Sequence, residues 1–349
     1  MHDKSKFNVH GFYFGKRHKK DDHYHLRLKK AFQKYHDVSN KSDEEIVNFS
    51  RDLEIDIAID LMGHTGGFEN RIEIFLKRCA PIQINFLGYP GTSGTDKIDY
   101  IIADKNLIQE DEKKFYSEKI IYLPNSYLPS EKDRPVLEKK LTKQQFRLPD
   151  GKFIFCCFNS NQKIFKTAFN LWVEILKKTP ESVLWLISKN NKFEKNLKEE
   201  FEKNKLNSER IIFSEPVPVK EYLARFKFAD LFLDTFPYNA HTTCNDSIWA
   251  GVPVLTKIGK SFHSRVASSL LKTSGLEELI TRSDEEYISK AVKIANDEKY
   301  LKQLKDKLNT FKDINPLFDS KLYTRNLEQA YEIVFQNHFH KKNPDDIYL

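Results

Sequence analysis

The stretch that decides the fold runs Asp230-Leu-Phe-Leu-Asp-Thr-Phe-Pro-Tyr-Asn-Ala-His-Thr-Thr-Cys-Asn-Asp246. Its apolar run at 231–233 is typical of a strand that is covered on both faces of a parallel sheet. Pro237 ends the run, and Thr243 with Asp246 has the capping-box spacing of a helix start. A helix that starts at the carboxyl end of a parallel sheet suits a phosphate. The pattern also fits an ordinary capped helix between two strands.

Apolar runs alternate with amphipathic stretches along the chain, which favours parallel α/β architecture. The predicted strands are 7–14, 55–61, 82–87, 100–103 and 120–123, then 153–158, 183–187, 211–213, 230–233 and 252–256. The predicted helices are 26–35, 42–53 and 69–78, then 168–178, 193–204, 219–228, 262–273, 284–297, 299–311 and 321–338. Ser42 and Glu45 have capping-box spacing as well.

The polar stretch 129–151 predicts a domain boundary, because it is rich in Lys, Glu and Pro and lacks strong periodicity. We therefore predict an N-terminal domain at 1–135, a C-terminal domain at 150–320 and a C-terminal helix at 321–349. The chain of 349 residues is long enough for two cores.

Composition excludes several classes of protein. The hydrophobic content of 40% indicates a globular protein, and no run approaches the roughly 18 apolar residues of a membrane span. A cytoplasmic protein is therefore expected. The net charge of +7 is spread over lysines along the chain, and no basic-aromatic motif is present, so nucleic-acid binding is not expected. Four cysteines indicate buried free thiols, and without an Asp-x-Asp pair no metal site is predicted.

Short motifs follow one another along nearly the whole chain: Ala80-Pro-Ile-Gln-Ile-Asn-Phe-Leu-Gly-Tyr-Pro-Gly-Thr-Ser-Gly94, Tyr116-Ser-Glu-Lys119, Phe155-Cys-Cys-Phe-Asn159, Asn239-Ala-His-Thr-Thr243 and Ser264-Arg-Val-Ala267. In this order they resemble the catalytic region of the O-GlcNAc transferase/SPINDLY family, glycosyltransferase family 41. The resemblance implies glycosyltransferase B architecture, in which two Rossmann-like, doubly wound domains face a cleft and a C-terminal helix returns to the first domain. It also implies an inverting, metal-independent transfer of GlcNAc from UDP-GlcNAc to protein Ser or Thr hydroxyls, with no cofactor besides the nucleotide sugar.

The donor site is predicted in the C-terminal domain. Lys163 follows a strand and a polar turn, and by resemblance it is the catalytic lysine that contacts the diphosphate. The resemblance also implies that Thr242 and Thr243 bind the diphosphate, that His241 contacts the phosphates or the nucleotide, and that Asp246 reaches the ribose.

Four further residues are candidates for donor binding. The resemblance puts Tyr222 and Arg225 near the base, although many relatives have His at the position of Tyr222. Ser160 stands where relatives often carry Gln or Asn. Arg265 is poorly placed for the helix dipole, which favours a phosphate-facing role or a buried pair. These departures leave GDP-fucose and UDP-glucose open as donors.

Two glycine-rich loops follow strands of the first domain. His64 and Thr65 lie in the loop 63–67, where relatives place His or Tyr beside the sugar or acceptor, and His64 is the second predicted catalytic residue. Tyr89 and Thr92 lie in the loop 88–94 and are candidates for sugar or acceptor contact. Each loop is also consistent with a structural turn, and the sequence does not identify a general base.

Relatives begin their first domain with a strand and a helix ahead of 7–14, and the turn between them carries an active-site histidine. This chain begins at Met1-His-Asp-Lys-Ser-Lys-Phe7, which resembles the tail of that helix. We expect a chain that lacks this unit and the helical repeats of relatives, and that is marginally stable. Its expected partners are a nucleotide sugar and a protein or peptide acceptor. A non-catalytic nucleotide-sugar-binding remnant is the alternative, and the oligomeric state is open.

Overall fold

Parallel sheets with helices between their strands form the framework of the chain. The structure is a computed structural model that describes residues 1–15, 23–135, 137–138 and 140–349. Two units are resolved: Met1–Lys105, Gln109–Tyr127 and Ser320–Leu349 form the first, and Asn106–Ile108 and Leu128–Asp319 form the second. Positions 136 and 139 of the predicted boundary stretch lie outside the described residues.

Among its described residues, the first unit contains two parallel sheets and four α-helices. A two-stranded sheet pairs β1 (His10–Tyr13) with β2 (Lys34–Asp37). A five-stranded sheet is formed by β3 (Ile57–Asp60), β4 (Ile82–Asn85), β5 (Tyr100–Asp104), β6 (Lys119–Leu123) and β13 (Ile347–Tyr348), in the spatial order β13-β6-β5-β4-β3. The helices are α1 (His23–Ala31), α2 (Asp43–Asp52), α3 (Glu73–Leu76) and α11 (Ser320–Phe339).

The core of the first unit lies between the five-stranded sheet and α11. All residues of β4 and β5 are buried, as expected for strands that are covered on both faces. Leu327, Ala330 and Val334 of α11 pack against Ile84 and its neighbours on the sheet. The C-terminal helix therefore completes the core of the unit that contains the N-terminal residues.

The second unit is a six-stranded parallel sheet in the spatial order β12-β11-β10-β7-β8-β9. Its strands are β7 (Phe153–Cys157), β8 (Ser182–Ile187), β9 (Ile211–Ser214), β10 (Leu231–Leu233), β11 (Val254–Lys257) and β12 (Ile280–Thr281). Its helices are α4 (Lys166–Lys178), α5 (Asn191–Lys203), α6 (Val219–Arg225), α7 (Thr242–Trp249), α8 (Val266–Thr273), α9 (Asp284–Asn296) and α10 (Glu298–Phe311). This is the doubly wound order of a Rossmann fold, in which the order of the strands reverses between the neighbours β7 and β10 while all strands stay parallel.

The α/β class and most predicted elements are confirmed. Ser42 caps α2 through the predicted capping box with Glu45. The predicted helix 26–35 is wrong at its end, because α1 stops at Ala31 and β2 begins at Lys34, where it pairs with β1. The predicted helix 69–78 is also wrong in extent, since only α3 is α-helical. The sequence prediction missed β12 and β13, which have two residues each.

Ile84→Ala should destabilise the first unit, because Ile84 is fully buried at the centre of its core. Truncation at such a site costs about 2–5 kcal/mol of unfolding free energy. Urea unfolding followed by far-UV circular dichroism measures the loss. The chain's tryptophans, Trp172, Trp185 and Trp249, lie in the second unit, so their fluorescence reports on that unit.

The matched control is Ile57→Ala on β3, since Ile57 is only partly buried. We expect it to cost less than half as much. Equal losses for the two variants would show that the core is not centred on β4.

Candidate functional site

The polar loops of the second unit meet where the order of its strands reverses, between β7 and β10. We call this position the switch point of the sheet. The turn Asn161–Lys163 follows β7 and the segment 234–241 follows β10, and α7 starts directly after that segment. Because β7 and β10 are neighbours, both loops leave the same edge of the sheet at the position where doubly wound folds bind ligands.

A fully buried carboxylate, Asp234, organises the segment after β10. Its Oδ1 accepts hydrogen bonds from the backbone N–H of Thr235 at 2.7 Å and of Ala240 at 2.6 Å. Its Oδ2 accepts one from the Thr256 hydroxyl at 2.6 Å. Burial raises the pKa of Asp234 to about 7, although these hydrogen bonds and the charge of Lys163 lower it.

Lys163 reaches across to the same segment. Its Nζ donates to the carbonyl of Asn239 at 2.9 Å and lies 4.0 Å from the centre of the Tyr238 ring. Burial lowers the pKa of Lys163, and the nearby carboxylate of Asp234 opposes this effect. The lysine is thus held by one carbonyl and one aromatic face, without a directly bonded carboxylate among the described residues.

His241 is a neutral ring in this setting. It stacks on Tyr238 with ring centres 5.0 Å apart, and its Nε2 lies 3.2 Å from the carbonyl of His263. Since a carbonyl only accepts, Nε2 carries the proton and Nδ1 the lone pair. Burial first, and then the charge of Lys163, lower the pKa of His241 to about 3.

The predicted capping box at Thr243 and Asp246 is wrong, because α7 begins at Thr242 and has no side-chain cap. The Thr243 hydroxyl donates instead to Asn159 Oδ1, and Asp246 forms an ion pair with Arg134. The first backbone hydrogen bond of α7 runs from Asn245 to His241. The N–H groups of the first turn therefore have no intrahelical acceptor and are available to an anion.

The four other donor-site candidates lie in different surroundings. Tyr222 is half-buried on α6, and desolvation and the neighbouring Asp246 raise its pKa. Arg225 is fully buried between aromatic rings, and its Nη2 donates to the carbonyl of Glu215 at 3.2 Å. Arg265 is buried and donates to the carbonyl of Gly259 at 2.9 Å. Ser160, by contrast, is exposed at the turn before Lys163.

In the first unit, Asp60 at the end of β3 shapes the first glycine-rich loop. Its Oδ1 accepts the N–H groups of Met62 and Gly63 at 2.8 and 2.9 Å. His64 then stands exposed, and its Nε2 lies 2.8 Å from the carbonyl of Ser93. The proton consequently sits on Nε2, which leaves the lone pair on Nδ1. The hydroxyl of Thr65 donates to the backbone carbonyl of Met62 at 2.6 Å.

The second loop of this unit depends on the buried Glu118. Glu118 accepts the backbone N–H of Ser93 and the hydroxyl of Thr92, each at 2.6 Å. Tyr89 is partly exposed, and its ring is nearly perpendicular to that of His64, with 5.1 Å between the ring centres. Gly88 has no room for a side chain, because an added Cβ would lie 2.3 Å from the carbonyl of Leu61.

The structure therefore brings Lys163, His241 and the start of α7 together in the second unit, and His64, Tyr89 and Thr92 together in the first. Sequence reasoning missed the residues that hold these groups: Asn159, Asp234, Tyr238, Arg134 and Glu118. The available signal was an acidic or amide side chain directly after an apolar strand, as at Asp234 and Asn159.

Neither a metal-ligand cluster nor a membrane-spanning helix is found among the described residues. No three His, Cys, Asp or Glu side chains of the described part lie together in a way that would hold a metal ion. None of the helices described combines the length and the apolar character that a membrane crossing requires.

Solved structures identify the architecture. An O-GlcNAc transferase mutant from Thermobaculum terrenum superposes with a TM-score of 0.88 at 30% identity, over 96% of this chain and 63% of that one. A glycosyltransferase from Rickettsia africae ESF-5 gives a TM-score of 0.59 at 11% identity, over 91% and 89% of the two chains, and shows the fold alone. The chain has glycosyltransferase B architecture.

Curated relatives agree with this result. The probable UDP-N-acetylglucosamine–peptide N-acetylglucosaminyltransferase SEC of Arabidopsis thaliana is 35% identical over 91% of this chain and 33% of its own length. The corresponding SPINDLY protein of Solanum lycopersicum is 30% identical over 87% of this chain and 32% of its own. The chain thus spans about a third of the length of these relatives. The profile of glycosyl transferase family 41 matches residues 1–138 and 132–327, and the chain belongs to this family.

Proposed function

We propose that the chain is the catalytic region of an inverting transferase that moves GlcNAc from UDP-GlcNAc to Ser or Thr hydroxyls of a protein or peptide. The proposal includes no metal ion and no cofactor besides the nucleotide sugar. The observation that carries it is Lys163 beside the uncapped start of α7, at the switch point of the second sheet. The chain's relatives are named as probable UDP-N-acetylglucosamine–peptide N-acetylglucosaminyltransferases, which supports the donor and the acceptor class.

The reaction replaces one bond to the anomeric carbon with another. The acceptor oxygen attacks this carbon while its bond to the diphosphate oxygen breaks, so the configuration inverts and the electron pair leaves with the diphosphate. The ammonium group of Lys163 and the N–H groups of α7 are suited to stabilise this developing negative charge. They supply the positive potential that a metal ion provides in other nucleotide-sugar enzymes.

The acceptor hydroxyl must also lose its proton. His64 is the candidate proton acceptor in this proposal, because it is exposed and its hydrogen bond to Ser93 leaves Nδ1 with the lone pair. A neutral imidazole is a suitable general base near neutral pH.

The resemblance described from the sequence leaves GDP-fucose and UDP-glucose open as donors. Both therefore belong in any donor test. The four free cysteines are all buried, which fits a reducing compartment such as the cytoplasm, and we propose that location.

Calorimetric titration with UDP-GlcNAc, GDP-fucose and UDP-glucose tests the donor. We expect UDP-GlcNAc to bind most tightly, and Lys163→Ala to weaken its binding about 10- to 100-fold, as for loss of a charged hydrogen bond. Lys178→Ala, at the exposed far end of α4, is the matched control and should bind as the wild type does.

Each other outcome has a definite meaning. Tighter binding of GDP-fucose would assign the chain to a fucosyl donor. Binding without transfer to any Ser/Thr peptide of a library would favour the non-catalytic remnant. A folded chain that binds none of the three donors would refute the proposed function.

His64→Gln should lower peptide glycosylation by about 10²–10⁴-fold, the usual contribution of general base catalysis. Donor affinity should not change, because Gln cannot accept the proton but keeps a side-chain N–H that can donate to the carbonyl of Ser93. Initial rates with radiolabelled donor and separate donor titrations measure the two effects, and His338→Gln on the exposed face of α11 is the control. Equal losses in affinity and rate would indicate a binding role instead.

A further inference from the structure

We infer that Asp234 is a positioning residue for the diphosphate site and that binding of a diphosphate draws a proton from solvent onto its carboxyl group. This inference rests on the proposed function, since it concerns the same donor. It goes further by assigning a linked proton to a residue that lies beneath the site.

The geometry allows only one place for that proton. Oδ1 of Asp234 is surrounded by N–H donors, namely the backbone of Thr235 and Ala240 and, at 3.4 Å, the side chain of Asn159. An N–H group cannot accept a hydrogen bond, so a proton on Oδ1 would have no acceptor among these three groups. Oδ2 faces the hydroxyl of Thr256, and a hydroxyl can either donate or accept. A proton on Oδ2 therefore only reverses that hydrogen bond, and the Oδ1 contacts that hold the loop persist in both states.

The same contacts connect the carboxylate to the predicted diphosphate position. Ala240 lies two residues before Thr242, where α7 begins. Asn159, which donates to Asp234, also accepts the hydroxyl of Thr243. Asp234 thereby fixes both the entry into α7 and the hydroxyl of its second residue.

The charges near Asp234 couple its protonation to the binding of a diphosphate. The titratable groups that interact with Asp234 are Lys163 from the turn after β7, Cys157 on β7, Cys244 on α7 and Tyr287 on α9. Burial raises the pKa of both cysteines and of the tyrosine, so they remain neutral near pH 7. Lys163 is the cation of this group, and a diphosphate that pairs with it adds negative charge close to Asp234.

The negative charge of a bound diphosphate favours the neutral, protonated carboxyl group of Asp234. The effect is strong because Asp234 is buried, where the low dielectric screens charges little. The pKa of Asp234 is already raised to about 7 in the free protein. Binding raises it further, so the proton is taken up at pH 7–8. Donor affinity should consequently fall as the pH rises above 7, by at most about tenfold per pH unit.

Calorimetry of UDP-GlcNAc binding in two buffers of different ionisation enthalpy measures the proton directly. The diphosphate of this donor is substituted at both ends and does not titrate near pH 7. The wild type should take up a fraction of a proton that approaches one between pH 7 and 8. Asp234→Asn, which resembles the protonated acid, should bind at pH 8 at least as tightly as the wild type, with no proton uptake.

Asp230→Asn is the matched control, because Asp230 precedes the other end of β10 and pairs with Lys305; it should keep the wild-type uptake. Thr256→Val removes the Thr256 hydrogen bond from both states of Asp234, and the charged carboxylate loses more than the neutral acid does, so the uptake should shift to higher pH. This variant tests the inference even where Asp234→Asn fails to fold.

Several results would overturn the inference. One is donor binding by the wild type without proton uptake. Another is an unchanged pH dependence in Asp234→Asn, which would assign the proton to a group such as Lys163. A third is a loss of affinity in Asp234→Asn that is equal at every pH, as a purely structural role predicts. Failure of all donors to bind would instead refute the proposed function, and this inference with it.

Discussion

The site of the second unit depends on hydrogen bonds to one buried carboxylate. Asp234 directly follows β10, accepts a hydrogen bond from Thr256 of the neighbouring strand β11 and accepts another from Ala240 in the loop that leads into α7. Through Asn159 it is also connected to the residues that follow β7. Three adjacent strands are thus joined at their carboxyl ends. Without this carboxylate, the buried N–H groups of Thr235 and Ala240 would lose their acceptor, at a cost of about 1–3 kcal/mol each.

In the first unit, a loop is likewise held by hydrogen bonds to a buried carboxylate, that of Glu118. This loop, 88–94, has to turn sharply near Gly88, where the backbone passes too close to Leu61 for any side chain. Glu118 accepts the hydroxyl of Thr92 and the N–H of Ser93 within this loop, and Ser93 in turn accepts from His64. In both units, then, a buried carboxylate satisfies the polar groups of a loop and thereby orients a histidine or a lysine.

The structural features that depend on residues close together in the sequence were predictable from the sequence. The prediction failed where a feature depends on a partner that is far away in the sequence. Ser42 and Glu45 lie in one turn, so their capping box was predictable. Thr243 and Asp246 have a similar spacing, but their side chains bond to Asn159 and Arg134, which are far away in the sequence. The strand Lys34–Asp37 exists because it pairs with β1, and no local pattern distinguishes it from the end of a helix. Likewise, Lys163 and His241 were predicted from motifs, whereas Tyr238 between them became apparent only from the packing.

Arg225 illustrates how burial decides the meaning of a charged residue. Its guanidinium group lies 5.5 Å from the centre of the Phe146 ring and 5.8 Å from that of Phe158, and burial lowers its pKa. A cation at such a position loses its hydration, and aromatic faces offset this loss because their negative quadrupole attracts it. Its Nε and Nη1 have no hydrogen-bond partner within the described residues. The aromatic rings around Arg225 are therefore as necessary to it as a counter-ion would be. Replacing Phe158 by a small residue would consequently destabilise α6, because the buried charge of Arg225 would lose one of its aromatic faces and a cavity would be left.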